Sequence, residues 1–174
     1  MRFFCLVTLL ILTTPLSMSQ PVPCSEREKS SQLDFWVGEW DLTWPGGQGG
    51  TPEGESGRGT NTITRELDGC VIHERFVAEN GFEGESVSVY HPEAGWRQTW
   101  VDNQGSYLPF TGGLTEDGTM EFRMAPRTNP QGQEQINRMT WRNVTAGAFD
   151  WHWQRSLDDG ATWEDVWVIR YTRR

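Results

Sequence analysis

Tryptophan and arginine are the residues of this chain whose types and spacing could form a binding site. The 174-residue sequence contains 10 tryptophans, and several of them alternate with polar residues along short segments. Side chains alternate between the two faces of a strand, so each such segment carries one aromatic face. Apolar walls with a few placed polar groups are the usual form of a small-molecule site. We therefore expect a pocket whose lining consists of Trp44, Phe76, Trp100, Trp141, Trp153 and Trp167, with Arg138 or Arg155 holding a polar head group.

The favoured function is the binding of a small apolar or amphipathic molecule. An amphipathic anion such as a fatty acid would suit a pocket that contains arginines. The same tryptophans could instead fill a core while the arginines face water, which would leave an occluded barrel that serves as an interaction module. Exposed tryptophan faces that stack on sugar rings would make a carbohydrate-binding module. A small barrel enzyme of the isomerase or cyclase type would need a carboxylate or histidine with a shifted pKa inside the pocket, and we favour this alternative less.

The three histidines, His73, His91 and His152, are the candidate ligands for a cofactor. A histidine inside an apolar barrel could ligate haem, so haem stays open, and no other cofactor is predicted. No histidine pair has metal-ligand spacing and no Cys-x-x-Cys occurs, so no metal site is predicted. The sequence also lacks a Gly-x-Ser-x-Gly elbow and a phosphate-binding loop, and no catalytic residue is predicted.

The N-terminus has the pattern of a secretory signal peptide. A charged start is followed by an apolar run and by small residues before Gln20, which predicts a signal peptide at 1–19. An N-terminal segment at 20–32 and a barrel domain at 33–174 follow, in a secreted or periplasmic protein. Cys24 and Cys70 then form an even pair in an exported chain, which favours a disulfide over two free thiols.

Charge and hydropathy exclude two classes of partner. The net charge of −9 makes a poor surface for nucleic acid, whose binding depends on neutralising phosphates. The N-terminal apolar run is too short for a transmembrane segment, and no later segment qualifies. A small hydrophobic or amphipathic molecule is therefore the expected partner, and the oligomeric state stays open.

Turn signals such as Asp68-Gly69 and Asn80-Gly81 divide the chain into short strands. Sequential hairpins without a long crossover predict an up-and-down meander, and closing it into a barrel removes exposed edges. We predict an all-β fold with a single antiparallel up-and-down β-barrel of about eight to ten strands after a short helical turn, with a β-sandwich as the alternative. The loops at 45–57 and 126–133 are candidate flaps at an opening. The predicted strands are 37–44, 58–67, 70–79, 83–91, 95–102, 106–114, 118–125, 134–144, 148–156 and 163–172.

The motif Gly38-Glu39-Trp40, after the segment 33–36, resembles the Gly-x-Trp entry strand of lipocalin-like proteins. The segments 89–92, 100–103 and 170–173 are similar to those of an uncharacterised, mostly bacterial family of lipocalin-like (calycin-type) domains, although His91 stands where that family usually has Asp. The resemblance spans residues 33–173. It implies an exported calycin-type barrel with no established reaction, and related barrels carry fatty acids, retinoids or haem. It also implies structural roles for Gly38, Trp40, Tyr171 and Arg173, in which Trp40 closes the barrel floor and Arg173 or Arg170 stacks on its ring.

Overall fold

The computed structural model describes residues 22–174, so the predicted signal peptide lies outside the described residues. Two short 3₁₀ helices, Cys24–Glu26 and Ser30–Trp36, precede the strands. The eleven strands in this part of the chain are β1 (Gly38–Pro45), β2 (Ser56–Glu66), β3 (Val71–Ala78), β4 (Glu83–His91), β5 (Gly95–Asp102), β6 (Tyr107–Leu114), β7 (Met120–Arg123), β8 (Arg127–Thr128), β9 (Glu134–Arg142), β10 (Ala148–Ser156) and β11 (Glu164–Arg173).

Ten of these strands form a closed antiparallel barrel, which confirms the predicted fold class. Each strand pairs with its neighbour in the chain, except that β7 pairs with β9, and β11 returns to pair with β1. The register of closure places Trp40 opposite Arg173 and Leu42 opposite Tyr171. The extra strand β8 pairs with the start of β9 alone. It lies in the predicted loop 126–133, where two residues are too few to show an alternation.

Alternation along β1 shows how the sequence sets the inner face. Trp40, Leu42 and Trp44 are buried, while the residues between them are exposed. A strand with one buried and one solvated face has this period of two. The aromatic periodicity of the entry strand therefore determines which side of the sheet becomes the barrel interior.

The second 3₁₀ helix closes one end of the barrel. Its Leu33 and Trp36 are fully buried, and the Trp36 ring lies 5.4 Å from that of Trp141. Arg65 at the end of β2 forms an ion pair with Asp34 of the helix and donates a hydrogen bond of 2.7 Å to the carbonyl oxygen of Ser30. Apolar packing inside the barrel and an ion pair at its rim thus hold the helix in place.

Arg173 covers the outside of this closed end. Its guanidinium carbon lies 4.2 Å from the ring centroid of Trp40, and the guanidinium donates to the carbonyl oxygens of Phe35, Val37 and Ala146. A Cβ added to Gly38 would lie 2.2 Å from Nη1 of Arg173, so the glycine makes room for the arginine. Arg173, and not Arg170, therefore stacks on Trp40.

A disulfide ties the N-terminal segment to the barrel. Cys24 and Cys70 are bonded, with their Cα atoms 4.8 Å apart. Cys70 lies in the turn between β2 and β3, beside Gly69, whose carbonyl oxygen accepts a hydrogen bond from Arg65. The disulfide and Arg65 thus fix the closing helix from two directions.

Candidate functional site

The barrel encloses a cavity of about 350 Å³ between the closing helix and the opposite end. Ligand cavities in proteins measure roughly 300–1,000 Å³, so this one can hold a small molecule. Both loops predicted as flaps contact this site. Arg127 of the loop 126–133 lines the cavity, and Gly49 of the loop 45–57 lies against the ring of Trp167 in the cavity wall. Its lining residues are Trp36, Glu74, Phe76, Phe82, Gln98, Trp100, Asp102, Ser106, Leu108, Phe110, Arg127, Met139, Trp151, Trp153, Trp167, Ile169 and Tyr171.

Aromatic rings in mutual contact form most of the cavity wall. Phe76 lies 6.1 Å from Trp100 and 5.8 Å from Trp167 between ring centroids, in edge-to-face geometry. Trp151 and Trp153 lie 6.3 Å apart and nearly parallel. Trp100, Trp151, Trp153 and Trp167 are half-buried, so their rings retain surface that a ligand could cover. This part of the wall is therefore apolar and incompletely packed.

A glycine on β4 makes room for one of these rings. A Cβ added to Gly84 would lie 2.1 Å from the Trp100 ring, so any side chain at this position would displace the indole. The missing side chain lets Trp100 lie against the backbone of the neighbouring strand. Gly84 is thus a residue that positions the cavity wall.

Of the aromatic residues predicted to line the pocket, Phe76, Trp100, Trp153 and Trp167 do so. Trp44 and Trp141 face the barrel interior but do not line the cavity. Trp44 is buried behind the wall, with its ring 5.4 Å from that of Trp167. Trp141 packs at the closed end, 5.7 Å from Phe122. Both residues support the site from behind.

The two predicted anchor arginines lie outside the cavity. Arg138 faces outward on β9, where its guanidinium carbon lies 3.9 Å from the centroid of the Trp163 ring and it pairs with Glu121 at 2.7 Å. Arg155 pairs with the exposed Glu164 at 2.9 Å. It has the same parity as Trp153, but it lies near the end of β10 and is not among the residues that line the cavity. Neither arginine supplies the expected head-group contact.

Glu74 is a buried charged residue of the cavity wall that the predicted set of ligand-binding residues did not include. It is 6 % exposed and shares the inner face of β3 with Ile72 and Phe76. One carboxylate oxygen accepts a hydrogen bond of 2.7 Å from Asn61, and the other accepts one of 2.6 Å from Ser86. Burial raises the pKa of Glu74 above its ordinary value, because a low-dielectric environment disfavours the charged form.

The hydrogen bonds of Glu74 continue into a network across five strands. Asn61 also donates to the hydroxyl of Tyr171 at 3.0 Å. Gln98 donates to Ser86 at 3.2 Å and to Ser88 at 3.0 Å. Burial, followed by the charge of Glu74, raises the pKa of Tyr171 well above its ordinary value. The alternation of Ile72, Glu74 and Phe76 was the available signal for this network.

The remaining polar groups of the cavity come from the turn after β5 and from the loop before β9. Burial opposes the ionised form of Asp102, but hydrogen bonds from the Trp100 indole and from Ser106 and Gln104 outweigh it and hold its pKa below the ordinary value. Arg127 donates to the side-chain oxygen of Asn137 at 3.1 Å. The cavity wall thus contains two carboxyl groups and one guanidinium group.

Two indole groups among the lining residues lack hydrogen-bond acceptors. The buried ring N–H groups of Trp36 and Trp167 have no acceptor in the described part of the chain. A buried donor without a partner costs about 1–3 kcal/mol. Both nitrogen atoms are inaccessible to solvent, so this cost is part of the folding of the chain itself.

All three histidines lie outside the cavity lining. His73 faces outward between Glu66 and Glu85. His91 lies at the β4–β5 turn, and His152 pairs with Asp165 at 3.0 Å. Within residues 22–174, no cluster of three or more histidine, cysteine and acidic side chains could hold a metal ion. A haem in the cavity would therefore find no histidine ligand in its wall.

The fold and the site define a closed β-barrel with an aromatic internal cavity. No model of a known protein family matches the chain, and no curated protein matches it. No helix in the described range 22–174 is long and apolar enough to cross a membrane. The functional argument therefore rests on the geometry and chemistry of the cavity itself.

Proposed function

We propose that this protein binds a small, largely apolar molecule in the aromatic cavity of a lipocalin-like barrel, and that it acts after export by the signal peptide at 1–19. The single observation that carries the proposal is the cavity of about 350 Å³ inside a closed barrel, with a wall made mainly of aromatic side chains. Such a wall gains free energy when a ligand displaces water from it, at about 25 cal/mol for each Å² of apolar surface covered.

The incomplete burial of the wall supports binding over simple core filling. At the closed end, Trp40 and Trp141 are 0 % and 2 % exposed, as expected for close-packed core residues. In the wall, Trp100 and Trp153 keep part of their surface accessible. The same residue type is therefore fully packed at one end of the barrel and left accessible around the cavity.

The positions of the tryptophans give no support to the carbohydrate-binding alternative. All ten lie within the described residues, and each is buried or half-buried. Trp163, on the outer surface, is covered by Arg138. A flat row of exposed indoles, which stacking on sugar rings requires, does not occur among residues 22–174. Glu74 has the shifted pKa that the enzyme alternative requires, but both its oxygens already accept hydrogen bonds, which favours a binding role.

The proposal can be tested by filling the cavity and by making a matched change next to it. Leu108→Trp adds an indole to the cavity wall, whereas Tyr107→Trp adds one on the exposed face of the same strand, where Tyr107 is 68 % exposed. Octyl alcohol serves as a neutral probe, and its binding is followed by intrinsic tryptophan fluorescence and by calorimetry. We expect saturable binding to the wild type and to Tyr107→Trp, and at least about tenfold weaker binding to Leu108→Trp.

The proposal is wrong if octyl alcohol does not bind to the wild type, or if it binds equally to both variants. Thermal unfolding of both variants verifies that they are folded before they are titrated. The adjacent positions of the two substitutions make this pair a strict control, because they differ in the face that receives the indole.

A further inference from the structure

The geometry points to a ligand of defined chemistry, namely a cationic amphiphile with an ammonium group that lies beside Glu74 and an apolar body that lies against the aromatic wall. This inference rests on the proposed function, and it goes beyond it by giving the ligand a charge sign. It also reverses the head group expected from the sequence, which was an anion held by arginine.

Glu74 is a buried acid without a cationic partner. It takes part in none of the ion pairs found among residues 22–174. Its hydrogen-bond donors, Asn61 and Ser86, are both neutral. His73 and Arg75, its two basic neighbours along the strand, lie on the opposite face, where His73 contacts Glu66 and Glu85. Burying a charge is costly unless an opposite charge compensates it, and the side of Glu74 that faces the cavity is where a ligand could bring that charge.

The aromatic wall extends from Glu74 in the direction a cationic ligand would take. Phe76 follows Glu74 on the inner face of β3, and its ring contacts Trp100 and Trp167. The faces of aromatic rings attract cations, and tryptophan does so most strongly. An ammonium beside Glu74 would therefore have a carboxylate on one side and aromatic rings on another, while its apolar body covers the remaining wall.

The charged groups of the cavity also favour a cationic ligand. Glu74 and Asp102 contribute carboxyl groups, against the single guanidinium of Arg127. Arg127 lies on β8, and one nitrogen of its guanidinium donates to Asn137. The whole chain has a net charge of −9, and a field of this sign raises the local concentration of cations and lowers that of anions.

Three probes with the same alkyl chain length distinguish a preference for a cationic head group from general binding in the cavity. Octylamine, octyl alcohol and octanoic acid are titrated into the wild type at neutral pH and fixed ionic strength, where the amine is protonated and the acid is ionised. We expect octylamine to bind about ten- to a hundredfold more tightly than octanoic acid, which is the range that one charge-assisted contact provides.

The variant Glu74→Gln then assigns the difference to one side chain. It keeps the shape of the residue and removes the charge, and Glu83→Gln on the exposed start of β4 is the matched control. We expect Glu74→Gln to weaken octylamine binding by about tenfold or more and to weaken octyl alcohol binding much less than that. We expect Glu83→Gln to change neither affinity.

The outcomes distinguish failure of this inference from failure of the proposed function. If octyl alcohol binds but octylamine binds no more tightly than octanoic acid, the cavity is a binding site and the inference is wrong. If Glu74→Gln weakens the alcohol and the amine equally, Glu74 has only a structural role and the inference is again wrong. If none of the three probes binds, the proposed function itself fails. The wild-type comparison decides the matter even if the variant does not fold.

Discussion

Glu74→Gln is predicted to stabilise the ligand-free barrel at neutral pH and to do so progressively less as the pH falls. The carboxyl is buried and lacks a cationic partner, and burial raises its pKa from the ordinary value of 4.5. Below that value the carboxyl is protonated in both the folded and the unfolded chain, so the wild type has no penalty. As the pH rises above 4.5, the unfolded chain ionises while the folded chain resists ionisation, and the wild type loses stability until the folded-state pKa is passed.

The size of this stability change follows from the contacts of the buried carboxyl group, which has two hydrogen-bond donors and no cationic partner. Hydrogen bonds from Asn61 and Ser86 recover part of its desolvation cost. Glutamine can accept from Asn61 through its amide oxygen, whereas its NH2 group must donate to the Ser86 hydroxyl. A buried polar group that is incompletely satisfied costs about 1–3 kcal/mol, and more when it is charged. We therefore expect Glu74→Gln to raise the free energy of unfolding by about 1–3 kcal/mol at neutral pH. The melting temperature should rise by about 2–4 °C for each kcal/mol in a domain of this size.

Guanidinium denaturation of both proteins between about pH 4 and about pH 8 measures this difference directly. The exposed Glu83→Gln is the control, and its stability difference from the wild type should be small at every pH in the range. The reasoning is refuted if the Glu74→Gln difference does not change with pH, or if the variant is less stable than the wild type at neutral pH. Either result would mean that Glu74 is adequately compensated in the folded protein.

Two further predictions concern structure outside the cavity. Arg173→Ala should lower the free energy of unfolding by about 2–4 kcal/mol, because it removes the cation from the Trp40 ring and three hydrogen bonds to backbone carbonyl oxygens. Denaturant unfolding measures this loss, and a loss below about 1 kcal/mol would contradict the role of Arg173. Asp158→Asn should lower the melting temperature at neutral pH, because hydrogen bonds from Thr162 and then Ser156 lower the pKa of Asp158 to about 2. The deficit should shrink as the pH falls from the ordinary value of 3.8 toward about 2, and thermal scans that show a deficit independent of pH would contradict the assignment.

Much of the fold follows from local patterns in the sequence. The strict alternation of Trp40, Leu42 and Trp44, together with turn signals such as Asp68-Gly69, specifies strands, their inner faces and their hairpin connections. The Asp68-Gly69 turn is longer than the two residues expected, because four residues lie between the paired Glu66 and Val71. All ten predicted strands correspond to strands of the barrel. Closure could be predicted because an open meander of this length would leave unpaired edges.

The lining of the cavity could be predicted only in part, because alternation gives the face of a residue and not its depth along the barrel. Trp44 and Trp141 face inward like Trp100, yet one lies behind the wall and the other lies at the closed end. Arg155 has an inward parity, but it lies near the end of β10, where it pairs with Glu164 and does not line the cavity. Depth along the barrel depends on how all strands pair, which no single segment encodes.

Glu74 shows a different limit of sequence reasoning. Its place between Ile72 and Phe76 gives the face correctly, yet acidic side chains are seldom fully buried without a partner. Its burial depends on donors from two other strands, Asn61 on β2 and Ser86 on β4. The charge sign of the cavity is therefore a property of the assembled barrel.

The most direct test of the account is an N–H NMR spectrum of nitrogen-labelled protein, recorded with and without octyl alcohol, in which each indole gives its own signal. We predict that the signals of Trp100, Trp153 and Trp167 shift together with saturation, because their rings line the cavity. The signal of Trp163, which lies on the outer surface beneath Arg138, should stay in place. Shifts confined to Trp163, or no shift at saturating alcohol, would contradict the claim that the barrel interior is the binding site.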